Sequence, residues 1–207
     1  MPLVAHSKVE NSKEILIWRM DEMLDELEPM VELSPFSKKR IKSFKSYKRK
    51  VEFFTARILI SLAGYKDEDL TYNEAGAPVL KDSFISISHS DSYLGIIISK
   101  TEEVGIDLER QRNQLYRIRK RFIGEKEEEL FDIESLDVIT IIWACKEAMF
   151  KMCYREGIDF RENLFIEKID FSNNTIEGKF KYDDQERKMK ANFHIFENHA
   201  LVYTSYF

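Results

Sequence analysis

Apolar positions change period along the chain, and each period marks a different element. Glu14 to Arg19 (Glu-Ile-Leu-Ile-Trp-Arg) is a short apolar run that reads as a buried strand. Ser34-Pro35 supplies an N-cap followed by proline at the first helical position. After it Ile41, Phe44, Tyr47, Val51, Phe54, Ile58 and Leu62 recur every three or four residues, which predicts one long amphipathic helix ending at Gly64. Asn73 to Pro78 reads as a turn, Phe84 to His89 as an alternating strand, and Ser90-Asp91-Ser92 as the turn into an apolar strand over Leu94 to Ser99. That hairpin carries His89 at its mouth. Val104 to Glu109 is a third strand, Leu115 to Phe131 a helical stretch broken at Gly124, and Asp137 to Cys153 a strong helix.

Beyond that helix the period falls to two. Leu164 to Phe171, Thr175 to Tyr182, Met189 to Phe196 and Leu201 to Tyr206 predict four strands, separated by Asn173-Asn174, Asp183-Asp184 and Glu197-Asn198. These four strands form an antiparallel meander.

Composition adds exclusions. The 207 residues are 43% hydrophobic and 13% aromatic, enough to bury a core, so disorder, collagen and coiled coil are set aside. No apolar run approaches the roughly 20 residues that span a bilayer, and the N-terminus lacks a basic start followed by an apolar segment, so the expectation is a cytoplasmic protein with no membrane partner. Cys145 and Cys153 lie eight residues apart in the predicted helix, a rise of about 12 Å where a disulfide needs Cα atoms within about 7 Å. No CxxC pair suggests zinc.

The net charge of −5 conceals segregation. Residues 20 to 33 hold six acids and no base, residues 37 to 50 eight bases and no acid, and Arg110 to Arg121 six further bases before a new acidic run. Each block is compatible with a solvated helix face, or with an anion site. A pI near 5.6 argues against nucleic acid and favours a smaller polyanion.

Three segments carry chemistry. Val104-Gly105-Ile106-Asp107-Leu108-Glu109 puts two carboxylates on one face of a strand, about 7 Å apart, a pattern suited to Mg2+, which takes oxygen ligands. Trp143-Ala144-Cys145-Lys146-Glu147-Ala148-Met149-Phe150-Lys151 places Glu147 and Lys151 on one helix face amid apolar residues that would hold them rigidly. Ile85-Ser86-Ile87-Ser88-His89-Ser90 puts Ser88 and His89 at a hairpin mouth, where both could donate hydrogen bonds to a phosphate.

In order and spacing these segments resemble the Ile-Ser-His-Ser, Val/Ile-Gly-Ile-Asp-x-Glu and Trp/Phe-x-x-Lys-Glu-Ala/Ser-x-x-Lys motifs of the Sfp-type 4'-phosphopantetheinyl transferases, across about residues 35 to 170. The resemblance implies an enzyme that transfers phosphopantetheine from coenzyme A to a serine of an apo acyl or peptidyl carrier protein, releasing 3',5'-ADP. It implies two similar α+β halves in a pseudo-twofold arrangement with the active site at their interface, here residues 1–103 and 104–207, so that a monomer suffices. It assigns Asp107, Glu109 and Glu147 as Mg2+ ligands, Glu147 also as the base, Lys151 at the departing phosphate, and His89, Ser88 and Lys146 as further phosphate contacts. Lys45, Lys48, Arg49 and Arg57 become candidates for the coenzyme A 3'-phosphate, and Gly76 and Pro78 for the turn beside the adenine.

Relatives commonly have Lys or Arg between that glycine and proline, where this chain has Ala77. The basic run Arg110 to Arg121 is expected to meet an acidic carrier protein of fatty-acid, polyketide or nonribosomal peptide synthesis. Two other classes of reading stand beside the enzyme. A non-catalytic coenzyme A or carrier-binding module of the same fold would not need three acids placed with Lys151. A nucleic-acid binder using residues 37 to 57 conflicts with the net acidity and lacks aromatic stacking positions beside the basic run.

Overall fold

The computed structural model describes residues 2–9, 13–153 and 156–206. The chain divides into two compact units, Met1–Thr101 and Glu102–Phe207. Both combine helices with antiparallel sheet, an α+β architecture.

The N-terminal unit is built on a four-stranded sheet of order β1-β2-β6-β5, from β1 (Leu3–Val9), β2 (Lys13–Arg19), β5 (Phe84–His89) and β6 (Tyr93–Ser99). β2 and β6 pair in the middle of the sheet and are almost wholly buried, which explains why both read as continuous apolar runs. The remaining elements are a short α1 (Leu24–Leu27), α2 (Pro35–Lys42), α3 (Tyr47–Leu62) and a small pair, β3 (Leu70–Tyr72) with β4 (Pro78–Leu80). α3 packs Val51, Phe54 and Ile58 into a core shared with Leu16, Trp18, Leu94 and Ile96.

The long helix expected from Pro35 to Leu62 is two helices. Ser43 closes α2, its backbone N–H reaching Arg40 and Ile41 carbonyls, and Ser46 caps α3 by accepting from Arg49 N at 3.4 Å. The apolar stripe runs across the break because Ile41 and Phe44 pack against the same core as α3. Serine prefers caps because its hydroxyl satisfies amides that the first turn leaves without partners.

The C-terminal unit is a five-stranded antiparallel sheet of order β7-β11-β10-β9-β8. Its strands are β7 (Val104–Arg110), β8 (Leu164–Asp170), β9 (Thr175–Tyr182), β10 (Gln185–Phe196) and β11 (His199–Tyr206). The last four form the expected meander. Glu197 and Asn198 both adopt positive φ, 43° and 62°, in the two-residue connection between β10 and β11, the backbone that matches strand twist in a tight hairpin. The sheet is covered by α6 (Leu136–Met152), capped by Ser135, with α4 (Asn113–Ile118) and α5 (Glu125–Leu130) preceding it. Ile139, Ile142, Ala148 and Met149 of α6 share one core with Ile166, Ile176, Phe193 and Val202.

One glycine sets the distance between β7 and α6. A Cβ at Gly105 would stand 1.9 Å from the Ala148 carbonyl oxygen, so only glycine permits this approach. Among the described residues, no helix is long and apolar enough to cross a membrane.

Candidate active site

The close contact of α6 with β7 brings the second and third chemical segments together. Gly105, Asp107 and Glu109 alternate onto the side of β7 that meets the helix, while Trp143, Glu147 and Lys151 repeat every four residues along one face of α6. Lys151 Nζ lies 2.7 Å from Asp107 Oδ1 and donates a further hydrogen bond to the Ile106 carbonyl at 3.1 Å. Glu109 is fixed from two directions: Trp143 Nε1 donates to its Oε2 at 3.0 Å, and Arg112 Nη2 lies 3.1 Å from its Oε1.

The electrostatics follow from that crowding. Burial, then repulsion from Asp107 and Glu109, pushes the Glu147 carboxyl up from 4.5 to about 7, with Lys151 pulling the other way. Burial also raises Glu109, opposed by Arg112 and reinforced by Asp107. Three partly or fully buried carboxylates that disfavour one another's charge have the donor chemistry of a hard-cation site. Among the described residues, no three His, Cys, Asp or Glu side chains are gathered tightly enough to hold a metal as they stand; Asp107 is engaged by the Lys151 ammonium instead. Asp107, Glu109 and Glu147 therefore fit Mg2+ in kind and in neighbourhood, with Lys151 in the way.

Residues 103–204, the segment that carries all of these groups, match the family model of the 4'-phosphopantetheinyl transferase superfamily. The match spans 102 of the 207 residues and supports that superfamily for this segment. Comparison with curated proteins returns no match.

Within the superfamily segment, Lys146 does not stand where a phosphate contact was expected. It is fully buried, and its ammonium donates to the Phe122 carbonyl at 2.5 Å, Glu127 Oε2 at 2.7 Å and the Phe160 carbonyl at 3.0 Å. All three ammonium hydrogens are thereby used. Burial lowers the Lys146 pKa and Glu127 works against the fall. Glu127 in turn accepts from Gly124 N and Ile166 N, so the pair ties α6 to the start of α5 and to β8. A lysine inside an apolar helix face was legible as unusual; its partner 19 residues upstream was not.

The N-terminal unit holds the other predicted residues. An open cavity of about 390 Å³ is lined by Arg40, Arg49, Glu52, Tyr72, Gly76, Pro78 and His89, with apolar walls from Phe44, Phe53, Ile87 and Leu94. Gly76 sits at φ +80°, and Asn73 closes the turn by accepting from Ala77 N at 2.9 Å. His89 Nδ1 lies 3.3 Å from Glu52 Oε1, and Lys48 is 3.9 Å from the same oxygen and 3.5 Å from Asp91. Ser88, on the opposite face of β5, is buried and does not line this cavity. Lys45 is exposed in the connection between α2 and α3.

Arg57 is also placed differently from the expectation. It is fully buried, with Nε 3.0 Å from Asp67 Oδ1, Nη1 donating to Tyr72 Oη at 2.9 Å, and its guanidinium 4.2 Å from the Phe53 ring centroid. Its helix position faces the core and Asp67 answers its charge, so it braces the unit. Burial opposes the Asp67 charge, yet hydrogen bonds from Ser34 and Ser37, with Arg57 nearby, hold its carboxyl below the usual range. Arg40, absent from the predicted set, stands in the cavity with its guanidinium 3.8 Å from the Tyr72 ring centroid. Its place in a basic run gave no reason to single it out.

Proposed function

We propose that the chain transfers 4'-phosphopantetheine from coenzyme A to a serine hydroxyl of an apo acyl or peptidyl carrier protein, in a Mg2+-dependent reaction that releases 3',5'-ADP. The observation that carries this reading is the convergence of Asp107, Glu109, Glu147 and Lys151 on β7 and α6 inside the superfamily segment. Asp107, Glu109 and Glu147 are the residues that would hold the metal. When bound, Mg2+ neutralises the diphosphate and polarises the phosphorus under attack.

The protein's own groups have distinct tasks. Glu147, directly or through a bound water, takes the proton of the carrier serine as general base. The serine oxygen bonds to the phosphorus that bears pantetheine, and the bond from that phosphorus to the bridging oxygen breaks. Lys151 stabilises the negative charge that stays on the departing 3',5'-ADP. Trp143 and Arg112 hold Glu109 in one orientation.

The cavity of the N-terminal unit suits the nucleotide end of coenzyme A: aromatic and aliphatic walls for a base, and Arg40, Arg49 and His89 for phosphate. Arg117, Lys120 and Arg121 are exposed and are proposed to meet an acidic carrier. Arg119 is not among them: its guanidinium lies 3.9 Å from the Tyr116 ring centroid and donates to the Tyr116 carbonyl.

The test is transfer of labelled phosphopantetheine from coenzyme A to an apo carrier protein in the presence of Mg2+, after EDTA treatment, and after Mg2+ is restored. Label on the carrier that disappears with EDTA and returns with Mg2+ supports the reading. No transfer to any of several carriers overturns it.

A further inference from the structure

Lys151 occupies an unusual position for a phosphate ligand. Its ammonium rests on a carboxylate assigned above to the metal, 2.7 Å from Asp107 Oδ1, and is held a second time by the Ile106 carbonyl. We propose that Lys151 is the resident counter-ion of the metal-free carboxylate cluster, which a divalent cation must displace, so that metal binding and the arrival of the phosphate that takes up the displaced ammonium are coupled. This inference rests on the metal reading given above.

The reason lies in charge and burial. The Asp107 side chain is 8% exposed and stands beside two further acids. A carboxylate buried among like charges is costly unless a cation answers it. Glu109 has Arg112 in that role and Asp107 has Lys151. A divalent cation on the same carboxylate competes with the ammonium for its charge, and the two cations repel at a few ångströms.

Lys151 is also able to leave. Its side chain is 27% exposed, and lysine is a point charge on a flexible stem that needs no fixed bidentate geometry. Once displaced from Asp107 it is a cation that has lost its carboxylate next to the metal, and a phosphate supplies the missing negative charge. The metal and the phosphate-bearing substrate should therefore tighten each other's binding, and by thermodynamic reciprocity to the same extent.

The test is Mn2+ binding to the full chain without coenzyme A, followed by electron paramagnetic resonance of the free ion, for wild type, Lys151→Met and Lys151→Gln. Both variants are expected to bind Mn2+ about tenfold more tightly than wild type, since the competing cation is gone. Coenzyme A should tighten Mn2+ binding to wild type and do so markedly less in the variants. Thermal unfolding in EDTA and in Mg2+ checks folding: added Mg2+ should raise the midpoint more in the variants than in wild type. Equal or weaker Mn2+ binding in folded variants overturns the counter-ion role while leaving the metal site standing. No Mn2+ binding by any of the three proteins overturns the metal reading, and this inference with it.

Discussion

At the residue scale, Glu147 and Lys146 are adjacent in sequence and opposite in environment. Glu147 lies among other acids, where its carboxyl is pushed from 4.5 to about 7, burial being the first cause. The folded, metal-free chain therefore keeps a proton that the unfolded chain gives up. Its contribution to stability falls as pH rises from about 4.5 to about 7 and is flat on either side. Thermal unfolding in EDTA should show this slope, and Glu147→Gln should remove it. Mg2+ affinity should move the other way, strengthening as pH rises through about 7, because the carboxylate form is the ligand. Lys146 is predicted to act on stability. Removing one member of a buried ion pair leaves the other uncompensated, at a cost of about 3 to 5 kcal/mol, so Lys146→Met should lower unfolding free energy by that order in a denaturant titration. Simultaneous replacement of Glu127 should recover part of it. The sequence showed that both residues interrupt an apolar helix; which one faced the acids and which the core depended on Asp107 and Glu127, both remote along the chain.

At the element scale, the site is made by the contact of β7 with α6, and Gly105 allows it. Gly105→Ala puts a methyl group 1.9 Å from the Ala148 carbonyl oxygen, so helix and strand must part. Overpacking of this kind typically costs about 1 to 3 kcal/mol. The predicted signature is a metal affinity that falls out of proportion to stability, measured by Mn2+ titration beside thermal unfolding, because the helix carries Glu147 and Lys151 away from Asp107. The elements were legible wherever burial imposed a clean period: β5, β9 and α6 lie within a residue of their expected bounds at every end. β1 was not, since most of its residues are exposed or half-buried and no alternation survives. The join between α2 and α3 was hidden because the core accepts apolar residues from both sides of Ser43–Ser46.

At the scale of the whole molecule, the basic blocks divide by burial. In the first, Arg40 and Arg49 line the cavity, whereas Arg57, just beyond the run, is spent inside the N-terminal unit. In the second, Arg119 is tied to Tyr116 and Glu134 while Arg117 and Arg121 remain exposed. The charge pattern along the chain could mark the blocks but could not tell a bracing guanidinium from one that lines a cavity. Arg117→Glu with Arg121→Glu is expected to raise KM for the carrier several-fold and leave KM for coenzyme A unchanged, in steady-state assays varying each substrate. The central claim, transfer built on Asp107, Glu109 and Glu147, is tested most directly by the intact mass of an apo carrier protein after incubation with this chain, coenzyme A and Mg2+. The account predicts a gain of one phosphopantetheine with wild type and none with Glu147→Gln. An unmodified carrier with wild type, or full modification by the variant, would contradict it.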